Sequence, residues 1–313
     1  MRKLSRATIA LVALGISALG TSNLAFGEDM SQQAIKQGYQ KHAALAQYYR
    51  WYQVYERADG GIANALDILA EDVTVKSGLG EANGHEQYAE RVGQLPTTWK
   101  NAHHVKSTEI TINEDGSMNL IAKIMYLNEG INPDGKVRKA DLTYTMDLTP
   151  TDTVLPKFSA IIIAQDTEGE ADSFDDAYDR NRLLSLVHYW LALIEDPSRN
   201  PEPVKEILAE NFSLNFSSGA ITDFDGFKAW LAGPGSAVTA STHDISNFSY
   251  ETLGDNKYSL SVDFDWTGIV PSGDEMVAKT RHQWVVSNEL TERFSRIESV
   301  DVEVLEKFRP KAN

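Results

Sequence analysis

Leu69-Ala70-Glu71-Asp72-Val73-Thr74-Val75 is the stretch on which the reading of this chain turns, because it is written again as Leu208-Ala209-Glu210-Asn211-Phe212-Ser213-Leu214. The same offset of 139 residues carries Trp51 onto Trp190 and Glu56 onto Glu195. One residue is then gained, and at the new spacing His103-x-Val105 answers to His243-x-Ile245, Asp115 to Asp255 and Leu120 to Leu260. Near the end of each copy Lys157-Phe158-Ser159 answers to Arg293-Phe294-Ser295. Solenoid repeats run about 20–50 residues, so a period this long marks a duplicated domain. Two copies that keep an apolar skeleton while their polar residues change share a fold and differ in chemistry.

Upstream of the quoted stretch, Leu45, Tyr48, Trp51, Tyr52 and Tyr55 fall at the three-and-four spacing of one helical face, which predicts a helix over 31–55. The second copy repeats the stripe as Leu184, Val187, Trp190, Leu191 and Ile194. Gly60-Gly61 and the stretch 197–203 with its prolines end these helices, and a short second helix leads into the repeated segment. A first strand follows at 73–75 and at 212–216. A third helix is expected at 85–92 and at 225–231, where Asp223 is placed as N-cap. Downstream, strands are expected at 105–112, 120–126, 140–148 and 158–164, and again at 245–250, 258–266, 280–286 and 294–304. Glu114-Asp115-Gly116 and Gly254-Asp255-Asn256 supply hairpin turns in matching places. Helices first and antiparallel strands afterwards give an α+β class: two tandem domains, 31–165 and 179–308, each a curved sheet packed by about three helices. Between them residues 166–178 are so acidic that they read as a solvated linker. Counted from Asp166, its sixth position is Ala171 where a calcium loop needs glycine.

The first 27 residues combine Arg2, Lys3 and Arg6 with an apolar run over 7–19 and a small-x-small site at Ala25-Phe26-Gly27. This is the form of a secretory signal peptide, with cleavage expected before Glu28 and a periplasmic or secreted destination. The run falls short of the roughly 20 residues a membrane anchor needs. With no cysteine there is neither a lipid acceptor nor a disulfide framework. Removing the three basic leader residues takes the formal charge from −16 to −19. Nucleic acid and anionic membranes are therefore not the expected partners.

The order of elements, with His243-x-Ile245-x-Asn247 and His103-x-Val105-x-Ser107 leading into the second main strand of each copy, resembles the nuclear-transport-factor-two-like superfamily, to which the SnoaL-like polyketide cyclases belong. The resemblance covers about 33–165 and 179–308. It implies a cone in which helices close one end of a bent sheet around an apolar cavity, a shape that hosts isomerases, dehydratases, cyclases and non-enzymatic binders alike. The resemblance also implies positions to test. Where ketosteroid isomerase-like members carry a base after the first strand, this chain has Ser77 and Phe216. Where the cyclase branch carries an Asp late in the last strand, Ile297-Glu298-Ser299-Val300-Asp301 offers Asp301, and the first copy offers Gln165.

Strand alternation turns Thr280, His282, Trp284 and Val286 inward together with Ala140, Leu142, Tyr144 and Met146. By the same parity Trp266, Tyr126, His243 and His103 face in. The first cavity is then expected from Tyr48, Trp51, Tyr52, Tyr55, His103, Tyr126 and Tyr144, and the second from Trp190, Trp266, Trp284, His243 and His282. So many buried hydroxyl and indole donors suit contact with a small, largely apolar organic ligand, although each alone is equally an ordinary core side chain. If the second cavity is catalytic, Asp301 is the expected base, with His282 and His243 polarising or shuttling protons in a cofactor-independent lyase, isomerase or cyclase. In the other reading His243 ties a loop to the sheet and Asp301 is exposed at a strand end. His103 and His104 are adjacent and face opposite sides, and no set of residues has zinc spacing, so neither metal nor cofactor is expected. The two domains are expected to pack sheet to sheet as an intramolecular pseudo-dimer.

Overall fold

The apolar periods described above fold, in a computed structural model that describes residues 32–57 and 61–312, into two copies of one topology. The expected signal peptide lies outside the described residues. In the first copy the aromatic stripe forms α1 (Gly38–Trp51) and, after a turn at Tyr52, α2 (Gln53–Glu56). Then come α3 (Ala63–Asp67), β1 (Leu69–Ser77), β2 (Gly80–Asn83) and α4 (Gly84–Gly93), followed by β3 (Lys100–Ile112), β4 (Met118–Glu129), β5 (Val137–Thr149) and β6 (Lys157–Ala171). The second copy runs α5 (Tyr178–Glu195), a 3-10 turn at Glu202–Glu206, β7 (Leu208–Phe216), β8 (Gly219–Ile221) and α6 (Phe224–Ala232). Its remaining strands are β9 (Ala240–Gly254), β10 (Lys257–Ile269), β11 (Glu275–Ser287) and β12 (Arg296–Pro310).

Strand order is β2-β1-β6-β5-β4-β3 in one sheet and β8-β7-β12-β11-β10-β9 in the other. In both, the quoted repeat is the strand that pairs parallel to the last one (β1 with β6, β7 with β12) in otherwise antiparallel sheets. Register shifts recur at matching places, between Leu69 and Thr74 on β1 and between Val105 and Ser107 on β3, with a counterpart in the β9–β10 pair. Bulges of this kind bend a sheet, and here they curl each one around its helices. The expected N-cap is in place, since Asp223 accepts a hydrogen bond from the Gly226 amide at the start of α6. Each half is thus an α+β cone, and the two halves repeat one strand order in tandem.

Two expectations need correction. The acidic stretch is not an irregular linker throughout, because 166–171 continue β6 against β5. Its charge is tolerated because β5 and the turn before it present cations. Arg138 Nε donates to Glu168 at 2.7 Å and Lys136 Nζ to Glu170 at 2.7 Å, while Thr143 donates to Asp166 at 2.6 Å. Nor do the domains meet sheet to sheet. They meet along the two long helices: Ala43 and Ala46 of α1 are fully buried in one core cluster with Leu183, Leu186 and Trp190 of α5. Small side chains let the backbones approach closely, and Ser185 Oγ donates to the Ala46 carbonyl at 2.8 Å. Ser185 and Ala46 are equivalent positions, 139 apart, as are His188 and Tyr49, whose rings stack at 5.6 Å with 7° between their planes. Contacts between equivalent residues mean that the helices cross about a local two-fold axis.

Candidate functional site

The first cone holds a cavity of about 530 Å³ that opens to solvent. Its apolar wall comes from Val75, Val92, Leu95, Trp99, Ile131 and Leu142, and its aromatic polar groups from Tyr55, Tyr126, Tyr144 and His103. Tyr126 is held by a buried network: its hydroxyl donates to Asn101 Oδ1 at 2.6 Å, and Asn128 Nδ2 donates to the same oxygen at 2.8 Å. Asn101 in turn donates to the Tyr55 carbonyl at 2.9 Å, so strand and helix are tied at the cavity floor. The Tyr55 and Tyr88 hydroxyls pair at 2.9 Å, and burial raises the Tyr55 phenol to about 12, so it is neutral and a hydrogen-bonding group at any ordinary pH. On the cavity wall Arg138 donates to Gln165 at 2.5 Å and to Glu168, which fixes one cation beside the apolar space.

His103 carries the strongest chemical potential of this set. Its backbone N–H and its Nδ1 both lie on Glu56 Oε1, at 2.8 Å and 2.9 Å, and the Glu56 side chain is fully buried. Asn181 Nδ2, from α5 of the other domain, donates to both carboxylate oxygens at 3.2 Å and 3.3 Å and to the His103 carbonyl at 3.0 Å. A carboxylate that already accepts a backbone N–H fixes the imidazole with its proton on Nδ1. Nε2 is then a free lone pair, with no hydrogen bond to any described residue, on a ring that lines the cavity and stacks on Tyr52 at 4.4 Å. A carboxylate, an oriented imidazole and a largely apolar cavity are the elements of a general base.

Of the residues expected in the first cavity, Tyr55, His103, Tyr126 and Tyr144 line it, whereas Tyr48, Trp51 and Tyr52 are fully buried behind it as core. Tyr52 donates its hydroxyl to Tyr48 at 2.5 Å, so these two satisfy each other rather than a ligand. In the second cone the corresponding space is filled. Phe216 stands where the first copy has Ser77, and Trp230 stands where it has Arg91. Phe216 packs on Trp230 at 4.8 Å and on Trp190 at 6.3 Å, and Trp190 meets Trp284 edge to face at 5.9 Å. Arg91 instead turns its guanidinium to the Val75 and Gly80 carbonyls, leaving room inside. Trp190 and Trp284 are therefore core, and the half-buried Trp266 packs against Phe308 at 5.0 Å.

The trio Asp301, His282 and His243 is not assembled. Directly opposed residues of an antiparallel pair share a face: Asp301 opposes Gln283, while His282 opposes Val302. Asp301 is exposed and accepts from Asn215 Nδ2 at 2.8 Å on the outer face of the sheet. His282 is buried against the Phe264 ring at 4.6 Å with no partner for Nδ1, and burial alone lowers it to about 3. His243 repeats the His103 arrangement, its Nδ1 2.7 Å from Glu195 Oε1. The surroundings differ, however. Position 42, equivalent to Asn181, is a histidine whose Nε2 lies 3.0 Å from the His243 carbonyl but 3.6 Å from Glu195 Oε1. Glu195 Oε2 has no partner, and burial raises the carboxyl well above its ordinary range while driving His243 well below. In the second pair burial thus works against the charged form of both partners, and the crossing side chain supplies no second donor to the carboxyl. The Glu56–His103 pair was missed from the sequence, although both members recur in the repeat.

Among the described residues no group of three or more His, Asp or Glu could hold a metal ion, and no helix is long and apolar enough to cross a membrane. No family model and no curated protein matches the chain. Solved structures of similar fold include hexachlorocyclohexane dehydrochlorinase LinA-type3 from Novosphingobium barchaimii (12% identity, 43% of this chain and 90% of that chain, TM-score 0.38). They also include a nuclear transport factor 2-like superfamily protein from Salmonella enterica (15% identity, 39% and 87%, TM-score 0.35). A protein with a cystatin-like fold from Caulobacter vibrioides is similar as well (13% identity, 41% and 89%, TM-score 0.34). The likeness is one of fold alone.

Proposed function

We propose that the first domain binds a small, largely apolar organic molecule inside its cone, and that the second domain, its cone filled, serves as the structural partner. One observation carries this reading: a concave space of about 530 Å³ that opens to solvent, within the size range of small-molecule sites, walled by apolar groups with a few fixed polar ones. The Tyr126 oxygen, Asn101 and Arg138 would orient the ligand, while Leu95, Val92 and Leu142 contribute affinity through apolar burial. Native mass spectrometry of freshly purified protein is the direct test, with a Ser77→Phe, Arg91→Trp double variant as the control in which the first cone copies the second. A mass increment retained by the wild type and absent from the variant supports the reading; a wild type that retains nothing and is not stabilised by any member of a panel of small aromatic and alicyclic compounds overturns it.

A second reading is favoured by the Glu56–His103 geometry. In it, His103 Nε2 removes a proton from the bound molecule, Glu56 stabilises the resulting imidazolium, and the reaction is a cofactor-independent elimination or isomerisation. This moves the expected acid–base chemistry from the second domain to the first. The leader-like N-terminus supports an exported protein whose ligand is met outside the cytoplasm. N-terminal sequencing that finds a mature chain beginning at Glu28 agrees with this, and an uncleaved chain in the cytoplasm contradicts it.

A further inference from the structure

Each domain reaches across the helix crossing to touch the other's Glu–His pair, and the two reaches are equivalent in position. Asn181 of α5 contacts Glu56 and the His103 carbonyl; His42 of α1 contacts the His243 carbonyl and approaches Glu195. Both reaching side chains are buried, and the two carbonyl contacts are each 3.0 Å long. They differ in donor capacity. A carboxamide has two N–H groups, so Asn181 serves the carbonyl and the carboxylate together. An imidazole N–H is single, and in His42 it is spent on the carbonyl, while its Nδ1 faces His188 Nδ1 at 2.9 Å. The second carboxyl is thereby left short of a donor, and Glu195 Oε2 is unpartnered.

We infer that Asn181 is a positioning residue for the first-domain site: the second domain completes that site by supplying the amide that anchors the Glu56 carboxylate and so holds the His103 ring with Nε2 toward the cavity. The inference rests on the reading of Glu56 and His103 as the working pair. It gives the filled domain a role beyond bulk, since without α5 the Glu56 carboxylate is left with only the two N–H groups of His103 itself. The altered surroundings of Glu195, whose crossing residue is His42, show in the same molecule the consequence of replacing the amide.

The experiment is 15N NMR of the histidine rings in the full chain. In the wild type, His103 should show one tautomer, protonated at Nδ1 with Nε2 unprotonated, and a downfield Nδ1 proton from its bond to carboxylate. Asn181→Leu should lose that proton signal and mix the tautomers. Asn181→His, a side chain that the equivalent crossing already accommodates, should fold natively yet shift the His103 resonances toward those of His243. The reciprocal His42→Asn should move the His243 ring resonances toward those of wild-type His103. Cooperative unfolding of Asn181→His with His103 resonances identical to the wild type overturns the inference, as does a His243 signal unmoved in His42→Asn. The proton-transfer reading fails separately, if a compound that binds the wild-type cavity leaves the His103 ring signals unchanged.

Discussion

The two buried glutamates, equivalent in sequence and unlike in their hydrogen-bond partners, should respond differently to the same isosteric change. Glu56 accepts from the His103 amide, from His103 Nδ1 and from the Asn181 amide. Glu56→Gln keeps one carbonyl oxygen for the two His103 donors but turns an NH2 group toward Asn181, which cannot flip without abandoning the His103 carbonyl. One buried donor loses its acceptor and the remaining bonds lose their charge assistance, a cost of about 2–4 kcal/mol. Glu195 has an unpartnered oxygen, and burial raises its carboxyl well above its ordinary range. Glu195→Gln breaks no bond at the unpartnered oxygen, keeps a carbonyl oxygen on His243 and removes a charge that burial disfavours, and should cost no more than about 1 kcal/mol. Urea denaturation at neutral pH followed by tryptophan fluorescence reads both from the midpoint at constant slope. Equal losses for the two variants, or a larger loss for Glu195→Gln, would refute the assignment of one fully partnered and one part-partnered carboxyl.

His282 is buried and uncharged in the fold, lowered to about 3 against an ordinary 6.5. As pH falls below 6.5 the unfolded chain takes up the proton first, so this contribution is complete above 6.5 and is lost progressively toward about 3. Going from pH 8 to pH 5 should cost the wild type about 2 kcal/mol from this group, a loss that His282→Phe removes; the difference in urea midpoints at the two pH values measures it. Gly38 begins α1 where an added Cβ would lie 2.3 Å from Thr242 Oγ1 and 2.8 Å from Glu195 Oε2. Gly38→Ala should therefore destabilise by about 1–3 kcal/mol, and a Thr242→Gly background should recover part of it in a double-mutant cycle, whereas an unchanged melting temperature contradicts the close approach. Ser77→Phe alone should raise thermal stability slightly or leave it unchanged while weakening binding of any cavity ligand at least tenfold by calorimetry, because the second cone already accepts phenylalanine at the equivalent site.

What could be read from the residues alone was the period and the parity. The repeat, at an offset of 139 and then 140, aligned the strands of the two halves, and alternation placed His282 and Trp284 on the inner face. The same alternation, carried along β12 from the buried Val300, turns Asp301 outward, so the rule that found the histidine already excluded its expected partner. Helical spacing could not separate Tyr55, which lines the cavity, from Tyr48 and Tyr52, which are core, because a stripe about 100° wide serves both purposes. The distinction lay in side-chain volume at positions outside the stripe, Ser77 against Phe216 and Arg91 against Trp230, a contrast visible once the copies are aligned.

The Glu–His pairing was also written in the repeat, since Glu56 with His103 and Glu195 with His243 are the same two residue types at nearly the same spacing. A buried carboxylate kept with a histidine in both copies is costly unless the two meet, and that cost was the available signal. What no reading of one copy could supply is the crossing residue. Asn181 and His42 act on the opposite domain, so their meaning exists only after the helices pack. The local two-fold makes the pair of sites an internal comparison: backbone geometry is shared, the crossing residue is amide in one and imidazole in the other, and only the site that receives the amide has both carboxylate oxygens partnered. Divergence after duplication has thus worked on three linked features, emptying one cone, filling the other, and assigning the filled domain's helix to hold the dyad of the empty one.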